Sequence, residues 1–237
     1  MERALIVASF GSGAPGYGFV RVFTSPAVRR ILAGRGERVL SLTEALESLR
    51  SAGTRRVLIQ PTHLLCGVEY ERLKAESESF SGDFETLDLG RPLLSDADDV
   101  RRFASRLSAA HPAREGAVTV FLGHGAERLA GAVYPALQTG LRLEGWEDLL
   151  VGSVKGWPTL DDVLRQLEPG GPRRIELVPM MLTAGRHARQ DMAGEWKSRL
   201  ERAGHLVTCS FIGLGERGWV QKMYRERLDT FLKKYEM

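Results

Sequence analysis

Two cysteines, Cys66 and Cys209, are too few for a disulfide framework in a chain of 237 residues, and they form no C-x-x-C pair. A small scaffold stapled by disulfides is thereby excluded, and a reducing, cytoplasmic setting is expected. No apolar run approaches the roughly 18 residues of a membrane span, so no membrane partner is expected. The apolar run Ala4–Phe10 lacks a basic leading region and a cleavage site, and reads as a first strand rather than a signal peptide. Basic runs interleaved with aromatics are missing, and the formal charge is only +3, which argues against nucleic acid and suits an anionic small ligand. Histidine is scarce too, at five residues, so each can be considered in turn.

The remaining composition, 43% apolar and 27% charged, is that of an ordinary globular protein able to bury a sizeable core. Short β-branched runs alternate with amphipathic segments, as in parallel α/β units. Strands are expected at Ala4–Phe10, Phe19–Phe23, Val57–His63 and Phe84–Leu89, then at Ala117–Leu122, Leu149–Val154, Arg174–Met181 and Leu206–Phe211. Helices are expected at Ser25–Leu32, Thr43–Ala52, Glu69–Ser79, Asp96–Ala110, Arg128–Leu141, Thr159–Leu167, Ala188–Arg202 and Trp219–Lys234.

The two halves repeat. Thr43–Pro61 lies over Asp161–Pro179 without a gap: Leu46 meets Leu164, Gly53 meets Gly171, Arg55-Arg56 meets Arg173-Arg174, and Pro61 meets Pro179. The same offset carries Gly67 onto Gly185 and sets Glu69 opposite His187, while Phe10-Gly11-Ser12 answers to His124-Gly125-Ala126. The predicted fold is two similar doubly wound parallel-sheet α/β domains, 1–112 and 113–216, with the C-terminal helix 217–237 joining the first and strand ends facing a shared cleft. One asymmetry stands out. Only Gly11–Gly18 separates the first two strands, where the second half has a helix, so the first domain is expected to lack its first crossover helix.

Gly11-Ser-Gly-Ala-Pro-Gly16 matches the dinucleotide fingerprint G-x-G-x-x-G, but such a site needs a helix N-terminus, and the strand-like Tyr17-Gly-Phe-Val-Arg-Val follows instead. A loop bordering a cleft is preferred. Gly123-His124-Gly125 closes a buried strand, so its imidazole should stand at the carboxyl edge, where open α/β sheets bind ligands. Its glycines would let a flat ligand approach the backbone. Val178–Met192 delivers His187 to the same edge after a break at Gly185. Imidazoles suit Co, Fe, Ni or Zn, and also proton transfer. His63 ends its strand and would line the cleft, whereas His111 and His205 precede strands at the opposite edge and are expected in solvent.

Ser9-Phe-Gly11, Phe23-Thr-Ser25, Thr43-Glu-Ala-Leu46, Thr62-His-Leu64 with Gly67-Val-Glu-Tyr70, and Gly123-His-Gly125 occur in order along the chain. Ala132-Val-Tyr134, Gly156-Trp-Pro-Thr-Leu160 and the run from Pro179 to Gly194 follow them. Together these segments resemble the anaerobic, long-form cobalt chelatases of cobalamin biosynthesis, members of the class II chelatases. The resemblance implies two α/β domains around a tetrapyrrole, insertion of Co²⁺ into sirohydrochlorin, and metal held by His124 and His187. The implied substrate metal is Co²⁺, with Fe²⁺ or Ni²⁺ also suited to the ligands, and no organic cofactor is expected. Self-association of identical chains is left open.

The family's third ligand, a glutamate in Gly-x-Val-Glu-Gly-x-Pro, is Lys155 in Gly152-Ser-Val-Lys-Gly-Trp-Pro158. A unit charge about 6 Å from a dication repels it by roughly 5 kcal/mol at an effective dielectric of about 20. A lysine can turn its head away and pair with one of the eight carboxylates of sirohydrochlorin. Glu69, opposite His187 in the repeat, is the candidate replacement carboxylate and base. Lys155, Arg186, Arg189, Gly11, Ser12 and His63 are candidates to bind substrate. The alternative is a tetrapyrrole- or haem-binding protein that has lost chelation.

Overall fold

The computed structural model describes residues 3–9 and 20–235, with only the backbone given for Ser9 and residues 186–188. The chain divides into two compact units, Met1–Leu93 with Met223–Met237, and Leu94–Lys222.

Each unit is built on a four-stranded parallel sheet of the same topology. In the first, β1 (Arg3–Ser9), β2 (Val20–Phe23), β3 (Arg56–Pro61) and β4 (Thr86–Leu89) lie in the order β2-β1-β3-β4. In the second, β5 (Ala117–Gly123), β6 (Leu149–Ser153), β7 (Arg174–Pro179) and β8 (Leu206–Cys209) lie in the order β6-β5-β7-β8. The doubly wound class expected from the alternation is therefore observed. Its central strands are apolar runs because helices cover both faces of a parallel sheet. Val118, Val120, Leu122, Ile175 and Leu177 form one core with Val163, Met192 and Trp196. Ile6, Ala8, Val57 and Ile59 form the other with Leu42, Ala45 and Leu46.

The repeat extends to individual hydrogen bonds. Ala8 pairs with Pro61 and Leu122 with Pro179. The next amide donates back in both cases, Thr62 N to Ala8 O and Met180 N to Leu122 O, each at 2.8 Å. The helices α2 (Leu42–Ser51) and α6 (Leu160–Leu167) start in reciprocal capping boxes, Ser41 with Glu44 and Thr159 with Asp162. These bonds satisfy helix-start amides and hold both carboxyls below the usual carboxylate range. Gly53 and Gly171 both take φ near +65°, at +69° and +63°, where a side chain would be strained. The glycines aligned in the sequence thus serve the same turn.

The segments joining the first two strands differ in length between the units. Residues 10–19 separate β1 from β2 and lie outside the described residues, so Gly11, Ser12 and the G-x-G-x-x-G segment receive no structural account. Residues 124–148 separate β5 from β6 and include α5 (Val133–Leu143). Pro135 does not break α5: it sits in the first turn, where its missing N–H has no helical partner to lose. After β2 the first unit carries α1 (Pro26–Ala33), which buries none of its residues. Later in the unit comes α3 (Val68–Glu78).

In the second unit, α5 also shields a sheet edge. Buried Gln138 donates to Leu149 O at 3.1 Å and accepts from Val151 N at 2.7 Å, reproducing the bonds of a missing strand along β6. The helix α4 (Ala97–Ala110) precedes β5. The helix expected over 188–202 is divided: α7 (Arg186–Asp191), a π-helical turn at Met192–Trp196, then α8 (Lys197–Arg202). The last helix, α9 (Gly218–Lys233), begins in the second unit and ends in the first.

Candidate functional site

In a sheet ordered β6-β5-β7-β8, connections leave the central strand in opposite directions, so a crevice opens beyond the carboxyl ends of β5 and β7. His124 directly follows β5, and His187 is the second residue of α7, the helix after β7. Both histidine backbones therefore reach the edge that the sequence indicated. The side chains of Arg186 and His187 are outside the described residues. The His124 side chain is exposed and has no hydrogen-bond partner among the described residues.

The glycines flanking His124 have a role in the protein's own packing. A Cβ on Gly123 would lie 2.1 Å from the Tyr134 ring, and one on Gly125 would lie 1.5 Å from the Lys155 carbonyl oxygen. Gly125 also has φ +94°. They leave room for the protein's own chain. The β6 loop closes over this gap: Val154 N donates to Gly123 O at 2.9 Å and Lys155 N to His124 O at 3.0 Å. Gly125 N in turn donates to the Tyr134 hydroxyl at 3.2 Å. Tyr134 is buried, and burial pushes its phenol up, while the Gly125 bond opposes the rise. Sequence reasoning does not single out Tyr134 for this role. The signal available was its spacing from the two glycines that flank His124 at a strand end.

Lys155 is exposed, on the same loop, with its backbone tied to His124. Its repulsion of a cation is weakened by solvent accordingly. At the end of β6 the indole of Trp196 covers Gly152, where an added Cβ would meet the ring at 2.4 Å. The π-helical turn delivers Trp196 to that spot. The segment leading to His187 is braced separately. Leu214 N donates to Met181 O at 2.8 Å and Gly215 N to Leu182 O at 2.9 Å, and Gly213 packs so closely that a Cβ would sit 2.4 Å from Leu182 O. Arg189, exposed, donates from Nε to Ala184 O at 3.0 Å and lies 4.9 Å over the Phe211 ring. Beside it, Ala184, Gly185, Ala193 and Gly194 line a shallow depression.

In the first unit, Glu69 is the second residue of α3, the same place that His187 occupies on α7. Its carboxylate pairs with Arg72 at 3.0 Å. Among the described residues no three His, Cys, Asp or Glu side chains converge as a metal-binding group.

His63 is buried, two residues beyond β3, with its ring edge-on to Tyr70 at 6.4 Å. Its carbonyl accepts from Leu93 N at 3.1 Å and from the Tyr224 hydroxyl at 3.2 Å, but neither ring nitrogen has a partner among the described residues. Burial pulls its pKa down to about 4. Above about pH 6.5 the imidazole is neutral whether folded or not. Between there and about pH 4 the unfolded chain takes a proton that the folded chain refuses, so stability falls as pH falls. The expected loss is about 2 kcal/mol by pH 5. Urea midpoints at pH 7 and pH 5 check this: His63→Leu should lose less stability on acidification than wild type, and equal losses would clear His63 of the effect.

His111 and His205 are not in solvent as expected. His111 stands edge-on to Phe121 at 4.9 Å, and burial, with Arg217 and Arg114, pulls its pKa to about 4. His205 is 9% exposed and accepts from Arg173 N at 3.2 Å. His111 caps the end of α4 and is held against a residue inside β5, and His205 is tied to the residue before β7, neither of which strand position alone reveals.

A family model described as "Cobalt chelatase (CbiK)" matches residues 4–233. The chain is 32% identical to the sirohydrochlorin cobaltochelatase of Salmonella typhimurium, covering 98% of this chain and 97% of that one. It is 33% identical to sirohydrochlorin cobaltochelatase CbiKC of Nitratidesulfovibrio vulgaris, over 86% and 81% of the two chains. Among solved structures it resembles SirB from Bacillus subtilis with Fe³⁺, at a TM-score of 0.60 and 15% identity, covering 97% and 95%. It also resembles CbiX, described as the terminal enzyme of sirohaem biosynthesis in denitrifying bacteria, at 0.52 and 19%, covering 96% and 98%.

Proposed function

The chain belongs to the cobalt chelatase (CbiK) family, and from that premise we propose that it inserts Co²⁺ into sirohydrochlorin, as a cytoplasmic lyase of cobalamin biosynthesis. The observation that carries the reading is an exposed imidazole, His124, held at the end of the central strand by two glycines that cannot accept a Cβ. His187 starts the helix after the adjacent strand.

Insertion needs a partly desolvated metal presented to the macrocycle and removal of two pyrrole protons. In this reading His124 and His187 hold the metal and accept protons, and Glu69 assists as a base. Each pyrrole N–H loses its proton to an imidazole or carboxylate as the nitrogen pair takes the metal, so the charge on the ring balances the dication. Lys155, Arg186 and Arg189 pair with substrate carboxylates, while Gly11, Ser12 and His63 border the ring. Fe²⁺ and Ni²⁺ are substrates that the same ligands would accept.

The test is absorbance of sirohydrochlorin with the protein and Co²⁺, Fe²⁺ or Ni²⁺ in turn, with metallation by Co²⁺ expected. Tetrapyrrole binding without metallation would sink the enzyme reading in favour of a tetrapyrrole carrier, the reading that Lys155 favours. Lys155→Glu separates the roles of that position. It is expected to tighten Co²⁺ binding by the protein alone about tenfold and to raise KM for the anionic ring. An unchanged Co²⁺ titration would put position 155 beyond reach of the metal.

A further inference from the structure

Resting on the reading above, we infer that Trp157 is a substrate-binding residue, its indole face lying against the conjugated ring of the tetrapyrrole, with Leu129 as a second apolar contact. Singly exposed apolar residues are common and mean little. Three observations set this one apart.

First, of the four tryptophans Trp157 is the exposed one, at 60%; Trp196 is buried and Trp146 and Trp219 are partly buried. An indole left in water exposes on the order of 100 Å² of apolar face. Second, the loop cannot fold it away. Ser153 donates to Pro158 O from both its amide, at 2.8 Å, and its hydroxyl, at 3.1 Å. Lys155 is tied to His124, Gly156 has φ +108°, and Pro158 is buried. Trp157 is thus presented from a closed loop two residues beyond Lys155. Third, the neighbouring loop does the same. Leu129 is 89% exposed and follows Arg128, whose φ of +56° is a left-handed conformation rarely adopted outside glycine. The turn there is tight, since a Cβ on Gly131 would stand 2.6 Å from Ala126 O.

Both loops that flank the His124 strand end therefore hold a large apolar side chain in solvent by backbone constraint, each beside an exposed cation, Lys155 or Arg128. An apolar face with cations at its margin is complementary to a flat conjugated ring with carboxylates at its periphery. Stacking on such a face contributes to substrate and transition state alike, so it should show in KM rather than kcat.

The experiment is steady-state Co²⁺ insertion into sirohydrochlorin by the full chain, comparing wild type with Trp157→Ala, Trp157→Phe and Leu143→Ala. Leu143, 83% exposed at the end of α5, serves as a control on an unrelated exposed apolar residue. Trp157→Ala is expected to raise KM about tenfold, within the range for lost aromatic stacking, with kcat changed less than about twofold. Trp157→Phe should recover most of the affinity, and Leu143→Ala should match wild type. An unchanged KM in Trp157→Ala, a fall in kcat alone, or a Trp157→Phe as impaired as Trp157→Ala would each overturn the inference. If the wild type inserts no metal, the functional reading fails on its own. A titration of sirohydrochlorin without metal then still decides Trp157, with tenfold weaker binding by Trp157→Ala expected and equal binding fatal.

Discussion

His124→Ala is expected to lower kcat/KM for Co²⁺ insertion by about 10²–10⁴-fold, the range for removing a positioned proton-transfer group, while leaving the melting midpoint within about a degree. The two halves of that expectation have separate causes. The side chain is exposed and makes no hydrogen bond to the described residues, so truncating it removes little packing. The backbone, which is what the fold uses, accepts from Lys155 N through an oxygen that alanine retains. Parallel calorimetry and metallation assays check both. His187→Ala should behave alike in the assay, and near-normal metallation by both variants would dismiss the site assignment.

Gly125→Ala should be as inactive for the opposite reason. The new methyl group would stand 1.5 Å from the Lys155 carbonyl oxygen, and the backbone would be held at φ +94°. No rotamer relieves a clash between Cβ and backbone, so the two loops must part, breaking the bonds from Val154 and Lys155 to the end of β5. A left-handed non-glycine residue costs about 1–2 kcal/mol by itself, and with the lost loop pairing we expect at least about 3 kcal/mol. In a domain of this size that is a fall of roughly 6–12 °C in melting midpoint. Activity lost without a fall in melting midpoint would mean that Gly125 acts on the ligand directly and that the loop contact is dispensable. The pair of variants thus distinguishes chemistry at His124 from the frame that presents it.

That frame is the part the sequence concealed. The duplication could be read because its markers are residues with narrow conformational meaning: Gly53 and Gly171 at positive φ, and Pro61 and Pro179 at matched strand ends. Placing His124 and His187 at a carboxyl edge followed from the strand pattern. The reason for the glycines around His124 did not follow, because Tyr134 and Lys155 meet them only through the folded crossover and the adjacent strand. Nor did the bracing of the His187 segment by Gly213–Gly215, which joins loops distant in sequence. The π-helical turn was equally hidden. It widens one turn of the helix without interrupting the apolar pattern, since Met192, Trp196 and Leu200 all stay buried. The half-buried position of His111 and the buried one of His205 were missed because tertiary contacts, unlike periodicity, leave no regular trace.

Gln138 has a consequence for how copies of this chain can meet. A parallel sheet can grow by recruiting a foreign strand wherever an edge still offers amides and carbonyls. Along β6 the Gln138 side chain occupies Leu149 O and Val151 N, and Pro158 O takes Ser153 N. Strand addition is therefore blocked on the side of the sheet next to Lys155 and Trp157. Any self-association there would have to use side chains, leaving the backbone ladder of β6 intact and its loop free to hold its shape.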